Sequence, residues 1–212
     1  MAWSIVPSPN VGTANNYLAG VAAFGPFDVY TVGSWANGRH QETNLQAQGA
    51  HYNGAWTVHP TPVMGSGSSP FNAIAAITPS DIWGVDNWFD GTYFQSLAEH
   101  WNGTKWSIVP SPDIGGTEGS GDDTVMLGAA DVDSNDVWAV GAYFNFSNFQ
   151  TYAMHWNGEA WAMVASPNYG TGSNALFAAG AIPKTHDIWA VGYRYVSTVN
   201  PELRTLILNF HC

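Results

Sequence analysis

The sequence predicts an all-β ring built from four repeated units, and three observations carry that expectation. Four segments of the type Asp-(Val/Ile)-aromatic-x-Val recur: DVYTV from Asp28, DIWGV from Asp81, DVWAV from Asp136 and DIWAV from Asp187. Four tryptophans, Trp3, Trp56, Trp106 and Trp161, mark a second register with spacings of 53, 50 and 55 residues. Asn-Gly stands shortly before three of them, at Asn53-Gly54, Asn102-Gly103 and Asn157-Gly158. Third, the repeat continues across the chain ends. The C-terminal TLILNFHC aligns with TYAMHWNG at residues 151–158, so Met1-Ala2-Trp3 follows on as Glu159-Ala160-Trp161 does.

Each unit reads as four short strands, most clearly in the third. VMLGAADV (125–132) is a first strand of small residues, and Asp133-Ser134-Asn135 turns it into DVWAVGAYF (136–144). The loop at 145–148 leads to FQTYAMHW (149–156). Asn157-Gly158 then opens a hairpin, because both residues tolerate the positive φ of a tight turn. AWAMVASP (160–167) is the fourth strand, and its equivalents also run into proline, which suits an exposed sheet edge. No segment sustains the 3.6-residue apolar spacing of a helix.

Four strands in about 50 residues, repeated, describe the blade of a β-propeller. The predicted fold is a single four-bladed propeller over residues 1–212, four antiparallel strands to a blade. Small residues on each first strand suit crowding at the axis, and strand 2, apolar on both faces, suits burial between neighbours. Four blades must each fill about 90° of the ring, and the 11 Trp supply the bulk for the widening gaps. Residues 1–10 are expected to complete the C-terminal blade as its outer strand and so close the ring.

Composition narrows the function classes. Five Lys+Arg against 16 Asp+Glu give a net charge of −11, and the cations are scattered. Nucleic acid and anionic membrane are therefore excluded as partners. One cysteine, Cys212, excludes an internal disulfide framework and a cysteine-based zinc site. No apolar run reaches the roughly 18 residues of a membrane span. No signal peptide precedes the first strand, so a secreted domain with its leader removed is expected, with a cytoplasmic protein as the alternative.

The motifs DVWAVG (136–141) and HWNG-x-x-W-x-x-V-x-SPN (155–168), with close copies in the other units, resemble a tandem propeller repeat of bacterial, often secreted, proteins. The resemblance covers essentially the whole chain and implies the propeller fold. It is similar in kind to sialidase-type and Kelch repeats but lacks their signatures. It resembles the hemopexin fold in blade number alone, and a terminal disulfide of that kind is impossible with one cysteine.

Most chemically suggestive residues repeat, and repetition around a ring argues for architecture. Asp28, Asp81, Asp136 and Asp187 sit at the turn entering strand 2, where a carboxylate can accept backbone N–H bonds. Trp3, Trp56, Trp106 and Trp161 are expected as structural packing. His51, His100 and His155 share one position, filled by Asn209 in the fourth unit, and are expected to hydrogen-bond within their own blades rather than hold a metal. The acidic loop with Asp113, Glu118, Asp122 and Asp123 offers oxygens for calcium, but its spacing fits a solvated loop better, and no cofactor is expected.

What fails to repeat is one loop face, formed by the loops between strands 2 and 3 and those between strands 4 and 1. It carries Trp35, Asn37, Arg39, His40, Trp88, Asp90 and Tyr93, with Tyr193, Arg194 and Tyr195 on the adjoining strand. Asp86 stands where the other units have Gly33, Gly141 and Gly192. Aromatic plates beside amides and carboxylates suit a sugar. With no catalytic signature found, the expected function is a non-enzymatic recognition module for carbohydrate or a protein surface. The alternatives are a glycosidase-like enzyme using Asp86 and Asp90, and a self-assembling scaffold in which two chains form an eight-bladed ring. The chain is accordingly expected as a monomer or a strand-exchanged dimer.

Overall fold

The computed structural model describes residues 2–36, 45–64, 68–114, 123–196 and 202–211. Among them are fifteen β-strands and no helix, hence none able to cross a membrane. The first sheet is a meander of β1 (Asn16–Gly25), β2 (Asp28–Ala36), β3 (Leu45–Tyr52) and β4 (Trp56–His59). The second holds β5 (Ala73–Thr78), β6 (Asp81–Phe89), β7 (Phe94–Trp101) and β8 (Trp106–Val109). The third holds β9 (Asp123–Asp133), β10 (Asp136–Phe144), β11 (Phe149–Trp156) and β12 (Trp161–Met163). The fourth has three strands, β13 (Asn174–Ala181), β14 (Ile188–Tyr195) and β15 (Leu203–Phe210).

The arrangement is propeller-like. First strands stand side by side, β1 against β5, β5 against β9 and β9 against β13. Gly128 permits the last of these approaches, since a Cβ there would lie 2.6 Å from the Ala178 backbone. Three apolar clusters fill the three gaps. Tyr30, Val32, Phe71, Ile82, Trp101 and Trp106 lie between sheets one and two. Trp83, Val85, Met126, Tyr152, Met154 and Trp161 lie between two and three. Val140, Ala153, Leu176, Ala190 and Leu206 lie between three and four.

The repeated Asp and His are tied to each other. His51, His100 and His155 bond Asp28, Asp81 and Asp136 at 2.8–2.9 Å, pinning the end of the third strand to the start of the second. Asp136 also accepts from the indole N–H of Trp138. The carboxylates thus act across the sheet rather than on their own turn. Beside Asp187 the histidine is replaced by Asn209, which donates to the Ile188 carbonyl. The hairpin glycines Gly54, Gly103 and Gly158 have φ of 102°, 90° and 92°.

Two expectations need correction. The fourth strands are short and stop before the prolines: β4 ends at His59 and β8 at Val109. More consequentially, residues 2–10 form no strand, and Trp3 and Ile5 are fully exposed. The expected in-chain closure is absent. β1 and β13 share no contact comparable to those between the other first strands. The four sheets therefore form an open series rather than a closed ring within the chain.

Candidate functional site

Asp86 shows how one repeat departs from the others. Gly33, Gly141 and Gly192 sit opposite bulges, where an added Cβ would fall 1.8–2.0 Å from a carbonyl oxygen of the first strand. In the second sheet β5 starts only at Ala73, opposite Val85, and no bulge faces Asp86. A side chain fits there. It is fully buried, and Asn72 Nδ2 donates to its Oδ1 at 2.7 Å while reaching the Met126 carbonyl at 3.1 Å. Burial pushes the Asp86 carboxyl well above the usual range. It is an interior group, not a member of the open loop face.

The accessible chemistry lies at the end of the same sheet. A cavity of about 250 Å³ is lined by Met64, Trp88, Ser96, Ser111 and Asp113, among others. Asp113 Oδ1 accepts the Ser96 backbone N–H at 2.5 Å. The Ser96 hydroxyl meets that of Ser111 at 2.7 Å and reaches the Pro112 carbonyl at 3.0 Å. The Tyr152 hydroxyl donates to the same carbonyl from the third sheet, so the residue before Asp113 is held from two sides. Burial pushes the Asp113 carboxyl up to about 6, against the Ser96 hydrogen bonds, and the charge of Asp90 pushes the same way.

Asp90 is exposed at the β6–β7 turn. Its Oδ1 accepts the N–H groups of Thr92 and Tyr93 at 2.7 and 2.9 Å, and Gln95 reaches Oδ2 at 3.3 Å. These bonds have counterparts that identify what is unusual. In the third sheet Asn145 caps the equivalent turn through Ser147 and Asn148. Asn168 accepts the Thr151 N–H as Asp113 accepts that of Ser96. Aligned on the repeat, Asp86, Asp90 and Asp113 replace Gly141, Asn145 and Asn168. At two of these positions the third unit has an amide that accepts the equivalent hydrogen bonds. The second unit alone uses an acid at all three.

The other sequence-predicted residues do not converge here. Trp35 lines a separate cavity of about 210 Å³ on the first sheet, with Gln48, His59 and Thr61. Arg194 lies over the Tyr169 ring at 3.8 Å, and Tyr193 packs between Phe177 and Tyr195 on the fourth sheet. Tyr93 stands beside Asp90 in the same turn. Asn37, Arg39, His40, Glu118, Asp122 and Cys212 lie outside the described residues. Asp113 was legible only as part of an acidic loop; the signal that singles it out is the SPD at 111–113 against the SPN at 166–168 and 8–10.

No family model and no curated protein matches the sequence. Among solved structures the fold is similar to one from the GH130 family of mannoside phosphorylases, which contains glycoside hydrolases that target β-1,2 mannosidic linkages in Candida mannan. The TM-score is 0.51 at 9% identity, covering 93% of this chain and 66% of that one. The chain thus spans slightly less than two thirds of that neighbour's length. The similarity supports the propeller-like fold. It also corrects the expectation of a non-enzymatic recognition module: the matching fold belongs to a family of carbohydrate-active enzymes, which favours the glycosidase-like alternative.

Proposed function

We propose that this protein is a carbohydrate-active enzyme that cleaves a glycosidic bond at the cleft of Trp88, Asp90 and Asp113, with each repeated sheet serving as one propeller blade. The observation that carries this reading is the set of acids found in the second unit alone: Asp113 lines the cavity with Trp88, and Asp90 lies near enough for its charge to act on Asp113. Glycoside cleavage needs one carboxyl that holds a proton and one that stays ionised. Asp113, raised by burial, suits the first role, and solvent-exposed Asp90, bonded by two backbone N–H groups, suits the second. Asp113 protonates the glycosidic oxygen as the C–O bond breaks. Water or phosphate adds to the anomeric carbon and gives up its proton to the Asp113 carboxylate, which restores the acid. Asp90 stabilises the positive charge on the sugar, and Trp88 offers a face for its C–H groups. β-Linked mannosides are the substrate class favoured by the structural neighbour.

Incubation with β-linked manno-oligosaccharides, with and without phosphate, tests the proposal. Free mannose or mannose 1-phosphate is the expected product. Asp113→Asn is expected to lower kcat by about 10²–10⁴ while leaving the fold intact, because Asn168 makes the same bond in the third sheet. Equal turnover by wild type and variant would overturn the assignment.

A further inference from the structure

The two end faces of the arc lack the covering that every internal face has. Trp83 and Trp138 hold one repeat position and are 2% and 3% exposed. Trp189 holds it in the fourth sheet and is 47% exposed, with Val191 beside it at 45%. Internally, this residue packs on the aromatic pair of the following sheet. Trp83 meets Trp156 and Trp161 at 4.8 and 5.1 Å, and Tyr30 shares a cluster with Trp101 and Trp106. The first sheet carries the corresponding pair, Tyr52 and Trp56, 5.2 Å apart and half-buried. No Trp precedes that pair, and no pair follows Trp189.

A gap with the same pattern lies between the third and fourth sheets. Trp138 meets Phe210 at 4.4 Å, but the second member of the pair is missing. In its place is a cavity of about 430 Å³ lined by Asp136, Trp138, His155, Val164, His186 and Phe210. The fourth sheet also lacks its fourth strand, so β15 is an open edge. The chain holds a matching segment. WSIVPSP at residues 3–9 is identical to WSIVPSP at 106–112, whose first four residues form β8 on β7. Residues 3–9 are unpaired.

We infer that two copies of this chain close head to tail into one two-fold ring, the 3–6 segment of each adding the missing strand to β15 of the other and Trp189 of each covering Tyr52 and Trp56 of the other. The β7–β8 register fixes the pairing: Trp3 beside Phe210, Ser4 beside Asn209, Ile5 beside Leu208 and Val6 beside Ile207. Trp3 then enters the cavity beside Trp138. The connection to β1, residues 7–15, matches residues 165–173 between β12 and β13, which span adjacent sheets. It therefore reaches β15 only where β1 stands next to β13, and within one chain it does not. A two-fold ring satisfies both ends at once and gives every sheet four strands. The inference stands apart from the proposed activity.

Light scattering of the full chain tests it first: the expected mass is twice 22.8 kDa. A cysteine pair, Ser4→Cys with Asn209→Cys in a Cys212→Ser background, tests the connectivity. Oxidation is expected to give a covalent species of doubled mass on a non-reducing gel. A monomer in solution, an intrachain crosslink, or open-ended polymers would each overturn the proposal. Loss of mannoside cleavage in an intact dimer would leave it standing and count against the enzymatic reading alone.

Discussion

Raising the pH from 4.5 to 8 is expected to destabilise the folded protein by about 5 kcal/mol through one side chain, Glu99. Glu99 lies on β7 opposite Gly84, in the interface where Phe71 fills the space a Gly84 side chain would need. It is fully buried, and neither carboxylate oxygen has a hydrogen-bond partner. Burial pushes its pKa from 4.5 up to about 8. The unfolded chain releases this proton above pH 4.5, whereas the folded chain keeps it until pH 8. Between those values the unfolded state binds fewer protons, so stability falls as pH rises, at about 1.4 kcal/mol per unit. Asp86, also raised by burial, adds a slope of the same sign. The repeat offers a neutral replacement, since Met154 fills the equivalent position and is fully buried. Urea unfolding at pH 5 and pH 8 should show Glu99→Met gaining several kcal/mol over wild type at the higher pH. A gain that does not grow with pH would contradict the account.

Truncating Trp83 to alanine is expected to cost about 3–5 kcal/mol, a fall in Tm on the order of 10 °C for a domain of this size. Its ring meets His100 at 4.6 Å within its own sheet and Trp156 and Trp161 on the next. Deletion removes the shared partner of that aromatic pair and leaves a void between two sheets. Val85, Met126, Tyr152 and Met154 still line that gap, so the loss is set by how far they can close over the void. Thermal unfolding by circular dichroism checks this, and a loss below about 1 kcal/mol would show that the inter-sheet cluster contributes little.

The strands were largely legible because alternation and turn chemistry are local. Asp136–Phe144 and Phe149–Trp156 form the strands that their sequences predict, and the Asn-Gly pairs turn as expected. Ring closure was legible only as a phase. The sequence shows that Trp3 continues the register of Trp161, but whether one chain curves enough to use it depends on the angle between packed sheets. That angle is set by side chains from different repeats. At the site, Trp88 and Asp90 stood out as departures from the repeat. Asp113 did not, because its raised pKa comes from burial, which depends on residues near it in space rather than in sequence. Trp35 and Arg194 were grouped with them on loop position, yet Trp35 lies close to Gly12 and Arg194 over the Tyr169 ring.

The dependence of kcat/KM on pH for mannoside cleavage tests the central claim most directly, measured on wild type and on Asp90→Asn. Asn145 caps the equivalent turn in the third sheet, so this variant keeps the local structure. If Asp113 supplies the proton, activity falls as pH rises through about 6, the value to which its carboxyl is raised. Asp90→Asn removes one of the charges holding that value up, so the midpoint moves to lower pH. A profile that is flat from pH 4 to 8, or a midpoint that Asp90→Asn leaves unmoved, would contradict the account.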